Sequence, residues 1–507
     1  MPPSAKPPQR APIRLSKSKI IAGRQCLKRL WLQVHGRENA GDTGNEMSLA
    51  IGHDVGAAAQ ALYPQGRLLG SHDDIAGSLA ATTDWLAGKG PAVGFEATFQ
   101  ADNVLVMADI VERRRNRLHL IEVKASTSVK EYQRDDVAVQ AHVLARCGQE
   151  PASISLRVID NRFIYRGDGD YQGLFKDEDL TAEAKSRSKE VAGWIKTQQQ
   201  MLAGGEPEID MGTQCNSPYA CEFQDYCLAQ CGSQAVEYPV GMLPRADALV
   251  SQLAADGYTD LRSVPAKLLN GHTLFLRMRE ASRTGKAYCD PAAAAELART
   301  SFPRYYLDFE GIAPAVPRWQ GTRPYQQLPF QWSLHIERAD GSLEHRAYLH
   351  TSAKAPMRPA MEQLLAAIGK RGTVFVYNRA YEGRVLRDMA AMFPDLAEQL
   401  AAIEKRFVDL LAVARRHYYH PAMKGSWSIK AVLPAIAPEL AYDSLGEVQE
   451  GSAAQQAFME IIAAGTPIER RAQLIGDLER YCERDTLAMV KIVEAFSGTR
   501  HAKAASC

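Results

Sequence analysis

The sequence predicts an α/β protein made of two mixed-sheet modules with a small helical segment between them. Three observations carry this. In the first half, Val104–Val111 and Leu118–Lys124 are apolar runs of strand length on either side of the polar stretch Arg113–Arg117, the pattern of a hairpin. In the second half, the apolar run Val374-Phe375-Val376-Tyr377 stops at Asn378 and leads into a helix-forming stretch. At 507 residues the chain has room for two or three domains, each with its own core. The expected organisation is a Pro-rich basic tail over 1–14, a first module over 15–235, a small helical linker domain over 236–300 with turns at Gly257 and Gly271, a second module over 301–497 and a short tail over 498–507.

Composition narrows the partners only a little. Lys and Arg total 60 against 59 Asp and Glu, a net charge of +1, so any nucleic-acid groove must come from local clustering. No stretch reaches the apolar length that spans a bilayer, and the N-terminus sets Lys6, Arg10 and Arg14 among prolines in place of an apolar signal core. A cytoplasmic location with no membrane partner is expected, with a disordered tail that touches nucleic acid weakly.

The residues of the second module that carry chemistry are acids at telling spacings. Asp308 and Glu310 lie two apart in an apolar run, and on an extended strand such residues leave the same face. Tyr481 and Asp485 lie four apart, which on a helix points both to one side. Glu382 follows Asn378 by four residues, and Asp409 is a further candidate carboxylate. Carboxylates gathered at one point repel one another unless a cation neutralises them, and hard oxygen donors favour Mg²⁺ or Mn²⁺ over zinc. The chemistry this implies is in-line phosphodiester hydrolysis. Any one of these motifs arises readily by chance; three in order, each beginning or ending a plausible element, point to a site.

The order Asp-x-Glu, then Asn-x-x-x-acid, then Tyr-x-x-x-Asp resembles the DEDD exonucleases of the RNase H-like fold, in the subgroup with a tyrosine in its last motif. The resemblance covers roughly residues 300 to 495. It implies that Asp308, Glu310, Glu382 and Asp485 hold two metal ions and that Tyr481 orients the attacking water. The family usually has Asp where this chain has Glu382.

In the first module, Glu122 and Lys124 are again two apart on one strand face, and the hairpin brings Asp109 near them. Upstream, His53 lies in Gly52–Gly56 at the head of an Ala-rich helix; downstream, Asp136 opens another helix that carries Gln140. His, Asp, Glu-x-Lys and Gln in that order resemble the PD-(D/E)xK nucleases of RecB type and the related CRISPR adaptation exonucleases. The resemblance implies metal ligands at His53, Asp109 and Glu122, with Lys124 and Gln140 as catalytic groups. The aromatic residue usual four places after the glutamine is Leu144 here.

Nine cysteines include Cys215, Cys221 and Cys227 at intervals of six, with Cys231 after them and Cys26 far upstream. A cytosolic chain seldom uses cysteines for disulfides, and the close Cys-x2-Cys pairs of zinc ribbons are absent. Free structural thiols and a metal or cluster site both fit. One cysteine before the nuclease-like core and three after it resembles the iron-sulfur layout of RecB-like clamp nucleases. That resemblance implies a [4Fe-4S] cluster on Cys26, Cys215, Cys221 and Cys227, stapling the ends of the module. Cys147, Cys289, Cys482 and Cys507 carry no spacing signal.

Nearly the whole chain, including Leu15-Ser16-Lys17-Ser18-Lys19 and Arg323–Trp332, resembles a bacterial domain-of-unknown-function family, number 2779. Together the motifs lead to the expectation of a metal-dependent DNA nuclease with two potential sites, probing single-stranded ends in repair, recombination or defence. Two other readings fit the same residues: an RNA exonuclease with only the second site active, and a non-catalytic nucleic-acid-binding or assembly protein.

Overall fold

A computed structural model describes residues 13–41, 46–88, 90–115, 117–230, 236–440 and 446–498. Lys6, Arg10, Cys231 and the tail from 499 onward lie outside the described residues. The chain divides into two units, Met1–Ser233 with Pro314–Tyr325, and Gln234–Ala313 with Gln326–Cys507. The helical segment 236–300 thus belongs to the second unit: Leu253, Leu261, Phe275 and Met278 share one core with Leu410, Met489 and Ile492. The short stretch 314–325, by contrast, belongs to the first, where Ala315 packs with Val55, Ile159 and Leu174. Among the described residues no helix is long and apolar enough to cross a membrane.

Both units are mixed α/β structures. The first contains β1 (Leu15–Ser16), β2 (Arg67–Leu68), β3 (Val93–Ala101), β4 (Val104–Arg114), β5 (Arg117–Lys124), β6 (Ser153–Ile159) and β7 (Phe175–Asp179). They run in the order β2-β3-β4-β5-β6-β7, with β1 alongside β4. The expected hairpin is β4 against β5, antiparallel, with Ile110 opposite Ile121. Strand β4 is buried along most of its length because both faces are covered, which is why it reads as an unbroken apolar run. Val106, Ala108 and Val111 pack with Val137 and Ala138 of the helix Glu131–Arg146, while Ile110 packs with Ala59, Phe95 and Ile121. That helix begins at Glu131, earlier than Asp136, and the helix with His53 spans Glu46–Ala61 and so holds Gly52 in its interior.

The second unit contains β8 (Tyr288–Cys289), β9 (Arg304–Ile312), β10 (Leu328–Glu337), β11 (Leu343–Leu349), β12 (Thr373–Val376), β13 (Phe407–Asp409) and β14 (Tyr418–Tyr419). Five of these form a sheet in the order β11-β10-β9-β12-β13, and β14 pairs with β8. Strand β10 runs antiparallel to both neighbours, whereas β12 is parallel to β9 and to β13.

Packing beneath this sheet sets the position of the chemistry. Strand β10 is buried, yet Gln331, Ser333 and His335 put polar groups on one of its faces. The long helix Ile468–Ser497 answers them. Gln331 Nε2 donates to the Leu478 carbonyl at 2.9 Å, and Ser333 Oγ and His335 Nδ1 meet Thr486 Oγ1 at 2.7 and 2.8 Å. A buried polar group left without a partner costs about 1–3 kcal/mol, so these bonds fix which turn of the helix faces β10. Asp485 precedes Thr486, and Ser333 is the sheet partner of Asp308. The register of the helix therefore decides where Asp485 meets the acids of β9.

Candidate metal centre and a second charged cluster

Asp308 and Glu310 leave one face of β9 as their spacing requires, and Asp485 reaches them from the long helix. One ligand oxygen from each of the three lies within 4.8 Å of the others, the one such grouping of three metal-ligand side chains among the described residues. They line a cavity of about 370 Å³ together with Glu382, Tyr481, Asn378 and Tyr381. Gln327 Nε2 donates to the Tyr381 hydroxyl at 2.8 Å on its wall.

Electrostatics in this cavity run against ionisation. Burial, then Asp485, Glu310 and Glu382, push the Asp308 carboxyl well above its usual range. Burial and Asp485 push Glu310 up to about 8, and the pull of Lys430 does not offset them. The scale is large: two unit charges 4 Å apart interact by ~4 kcal/mol at an effective dielectric of about 20. A divalent cation among these oxygens would reverse the balance, and the all-oxygen donor set suits Mg²⁺ or Mn²⁺.

Glu382 sits in the first turn of the helix Arg379–Met392, outside the group of three. It is 1% exposed, its Oε2 has no hydrogen-bond partner, and burial with Asp409 and Glu310 nearby raises its carboxyl strongly. Asp409 serves the backbone instead. Its Oδ1 accepts from Leu411 N at 3.0 Å and from Asn378 N at 3.2 Å, capping the helix Leu410–His417. Tyr481 lines the cavity with the Lys430 ammonium 5.3 Å from its ring centre. Cys482, which had no spacing signal, is fully buried with Sγ 3.9 Å from Asp308 Oδ2. Its position follows from lying beside Tyr481 on a helix seated against β9, which only the packed helix reveals.

The first unit gathers Asp109, Glu122, Lys124 and Gln140, and adds two residues, Lys17 and Asp136, to which the sequence assigns no role in the site. Lys124 Nζ donates to Glu122 Oε1 at 2.7 Å and to Asp136 Oδ2 at 2.5 Å. Lys17, at the start of the helix Lys17–Gln25, donates to the same Glu122 Oε1 at 2.7 Å and stands 3.9 Å from Asp109 Oδ1. Gln140 Nε2 donates to Glu122 Oε2 at 2.7 Å, and Val123 N donates to Asp109 Oδ2. Burial opposes the charge on Glu122, but Lys124 and Lys17 outweigh it and hold the carboxyl below its usual range. Asp109 goes the other way, raised by burial and by Glu122 to about 7.

His53 does not join this cluster through any hydrogen bond among the described residues; it is exposed on its helix, and its influence falls on Glu96. Glu96 stands on β3 at φ 54°, a backbone state side chains other than glycine seldom adopt, and burial raises its carboxyl. The cysteines of the expected cluster are free thiols, each half-buried. Cys221 N donates to the Cys215 carbonyl at 2.8 Å; burial raises the thiols of Cys221 and Cys227, with Cys26 adding to both and Cys215 to the latter. Among the described residues no three of these sulfurs come within 4.8 Å of one another. Tyr325 packs in the first unit, its hydroxyl donating to the Ala125 carbonyl.

Residues 305–428 match the model of a family described as a domain of unknown function (DUF2779), a shorter stretch than the near full-length likeness expected. The chain is also similar to an uncharacterized protein of Ureaplasma parvum serovar 3, 27% identical over 40% of this chain and 32% of the relative. A second, from Mycoplasma pneumoniae, is 26% identical over 37% of this chain and 31% of the relative. The chain thus spans about a third of the length of the curated relatives it matches.

Proposed function

We propose that this chain is a divalent-metal-dependent nuclease that hydrolyses phosphodiester bonds, as an exonuclease on DNA, with its main centre in the second unit. The observation that carries the reading is the convergence of Asp308, Glu310 and Asp485 in a cavity where burial and the neighbouring acids oppose ionisation of Asp308 and Glu310. A strand order with one antiparallel member, and paired acids on the central strand β9, further supports a DEDD-type, RNase H-like assignment.

In such a centre Asp308, Glu310 and Asp485 would hold Mg²⁺ or Mn²⁺, with Glu382 beside them; the cation supplies positive charge against the phosphate and makes water more acidic. Tyr481, one helical turn before Asp485, would orient the attacking water. In the first unit, Asp109 and Glu122 would take a metal with Lys124 and Gln140 positioning the reacting groups, and a [4Fe-4S] cluster on Cys26, Cys215, Cys221 and Cys227 would act as a staple.

The test is degradation of end-labelled single-stranded DNA, duplex DNA and RNA by the full chain with Mg²⁺ or Mn²⁺. Loss of activity in Asp308→Ala is expected; unchanged activity in Asp308→Ala, Asp109→Ala and the double variant would sink the reading. A second reading, in which only the second-unit centre turns over, is favoured by the two lysines already neutralising Glu122. It expects Glu122→Ala to be silent.

A further inference from the structure

A second cavity, of about 750 Å³, lies in the same unit and shares Tyr377 and Asn378 with the acidic one. Its charge is of the opposite sign. Arg245 and Arg415 line it, no acidic residue does, and neither arginine forms an ion pair or hydrogen bond among the described residues. Other arginines of this unit are engaged: Arg416 pairs with Glu296, and Arg262 with Glu237 and Asp260. Two exposed guanidinium groups without an ion partner on one cavity lining give an anion two cations to bind.

The walls are held rigidly. Tyr377 donates its hydroxyl to the Trp427 carbonyl at 2.7 Å, tying the segment that carries Ser426 and Ser428 to the end of β12. Gly425 within that segment has φ +81°, and a Cβ there would lie 2.1 Å from the Met242 carbonyl oxygen, so only glycine fits. Asn378, on the ridge common to both cavities, is held at φ 91°, a strained state for asparagine, with its N–H bonded to Asp409. Strain of this kind persists where the surroundings over-determine a residue, often at a ligand site.

We infer that the Arg245–Arg415 cavity binds the phosphodiester backbone of the strand whose end lies in the acidic cavity, with Asn378 between the two subsites. The inference rests on the proposed nuclease function and adds the residues that grip the substrate away from the reacting bond. The volume suits it, since pockets of roughly 300–1,000 Å³ take ligands of nucleotide size. The Ser428 hydroxyl, which accepts from Ser426 Oγ at 3.3 Å, adds a neutral donor beside the two arginines.

The test is fluorescence anisotropy of a labelled single-stranded oligonucleotide on the full chain without divalent metal, across a salt series. Arg245→Gln/Arg415→Gln should weaken binding by about tenfold and flatten the salt slope by about 1.4, roughly 0.7 for each phosphate no longer neutralised. Arg245→Lys/Arg415→Lys should restore most of the slope, which a purely structural role would not explain. Binding and degradation by wild type, with affinity and slope unchanged in the Gln variant, would overturn the inference and leave the nuclease reading standing. A wild type that neither binds nor degrades any strand removes both.

Discussion

The two units each collect acids on a sheet, and they treat the resulting charge in opposite ways. In the first, Glu122 Oε1 receives two ammonium groups at 2.7 Å, from Lys17 and Lys124, so Glu122 is neutralised by the chain itself. In the second, burial and Asp485 on the long helix raise the carboxyls of Asp308 and Glu310, and Lys430 does not compensate at Glu310. The same side chains therefore mean different things. A carboxylate already carrying lysines gives up those partners to take a metal, whereas a repelling group gains from one. Ion pairs hold the first cluster in place, while neutral hydrogen bonds through Ser333, His335 and Thr486 position the second from below.

The largest test of this contrast is catalytic. Asp308→Ala should reduce degradation of single-stranded DNA by roughly 10³-fold, ~4 kcal/mol of transition-state stabilisation, with Glu122→Ala doing far less. Equal losses from both would break the comparison.

Next comes the metal. Mn²⁺ at about 100 times its dissociation constant should stabilise the protein by ~2.7 kcal/mol, read as a rise in the melting temperature of the second unit. The effect carries a pH signature. Glu310 titrates at about 8 in the folded protein against an ordinary 4.5, so the folded state keeps a proton that the unfolded chain releases. Stability from that proton is complete below 4.5 and is lost as pH rises through about 8. The metal-free melting temperature should fall over this window, and Glu310→Gln should flatten the fall.

Lys17→Met would push the first cluster toward the state of the second. Glu122 keeps Lys124 but loses half of its cations, at an expected cost of about 1–2 kcal/mol in chemical denaturation, less than for a fully buried pair because Lys17 is partly exposed. Added Mn²⁺ should recover part of this in the variant and little in wild type. The smallest effect should come from Thr486→Val, about 1 kcal/mol, since it removes hydrogen bonds beneath the second site while keeping its shape. A Thr486→Val protein that keeps full activity would show that Asp485 is positioned without that bond.

What could be read from the chain was short in range. The i, i+2 pairs Asp308/Glu310 and Glu122/Lys124 and the i, i+4 pair Tyr481/Asp485 depend on one strand or one helix, and local periodicity suffices for each. The hairpin of β4 and β5 and the strand β12 before Asn378 were legible for the same reason. Long-range packing was not. Lys17 meets Glu122 across 105 positions of sequence, and its Ser-Lys-Ser setting says nothing about that partner. Glu382 follows Asn378 at the expected spacing, yet the three-residue grouping forms without it. The helical segment 236–300 looked separable because its helices are short; its buried faces, completed by residues more than a hundred positions later, make it part of the second unit's core.

The stretch Pro314–Tyr325 leaves the second unit after β9 and returns to it before β10, yet packs as part of the first. The two units are therefore not separable by one cut. A fragment ending at Ser233 would lack Ala315 and Tyr325 from its apolar packing, and the remaining fragment would carry them with nothing to cover them. Deletion or recombination at that boundary damages both halves, so clean gain or loss of one unit in evolution would require coordinated breaks at all three boundaries between them.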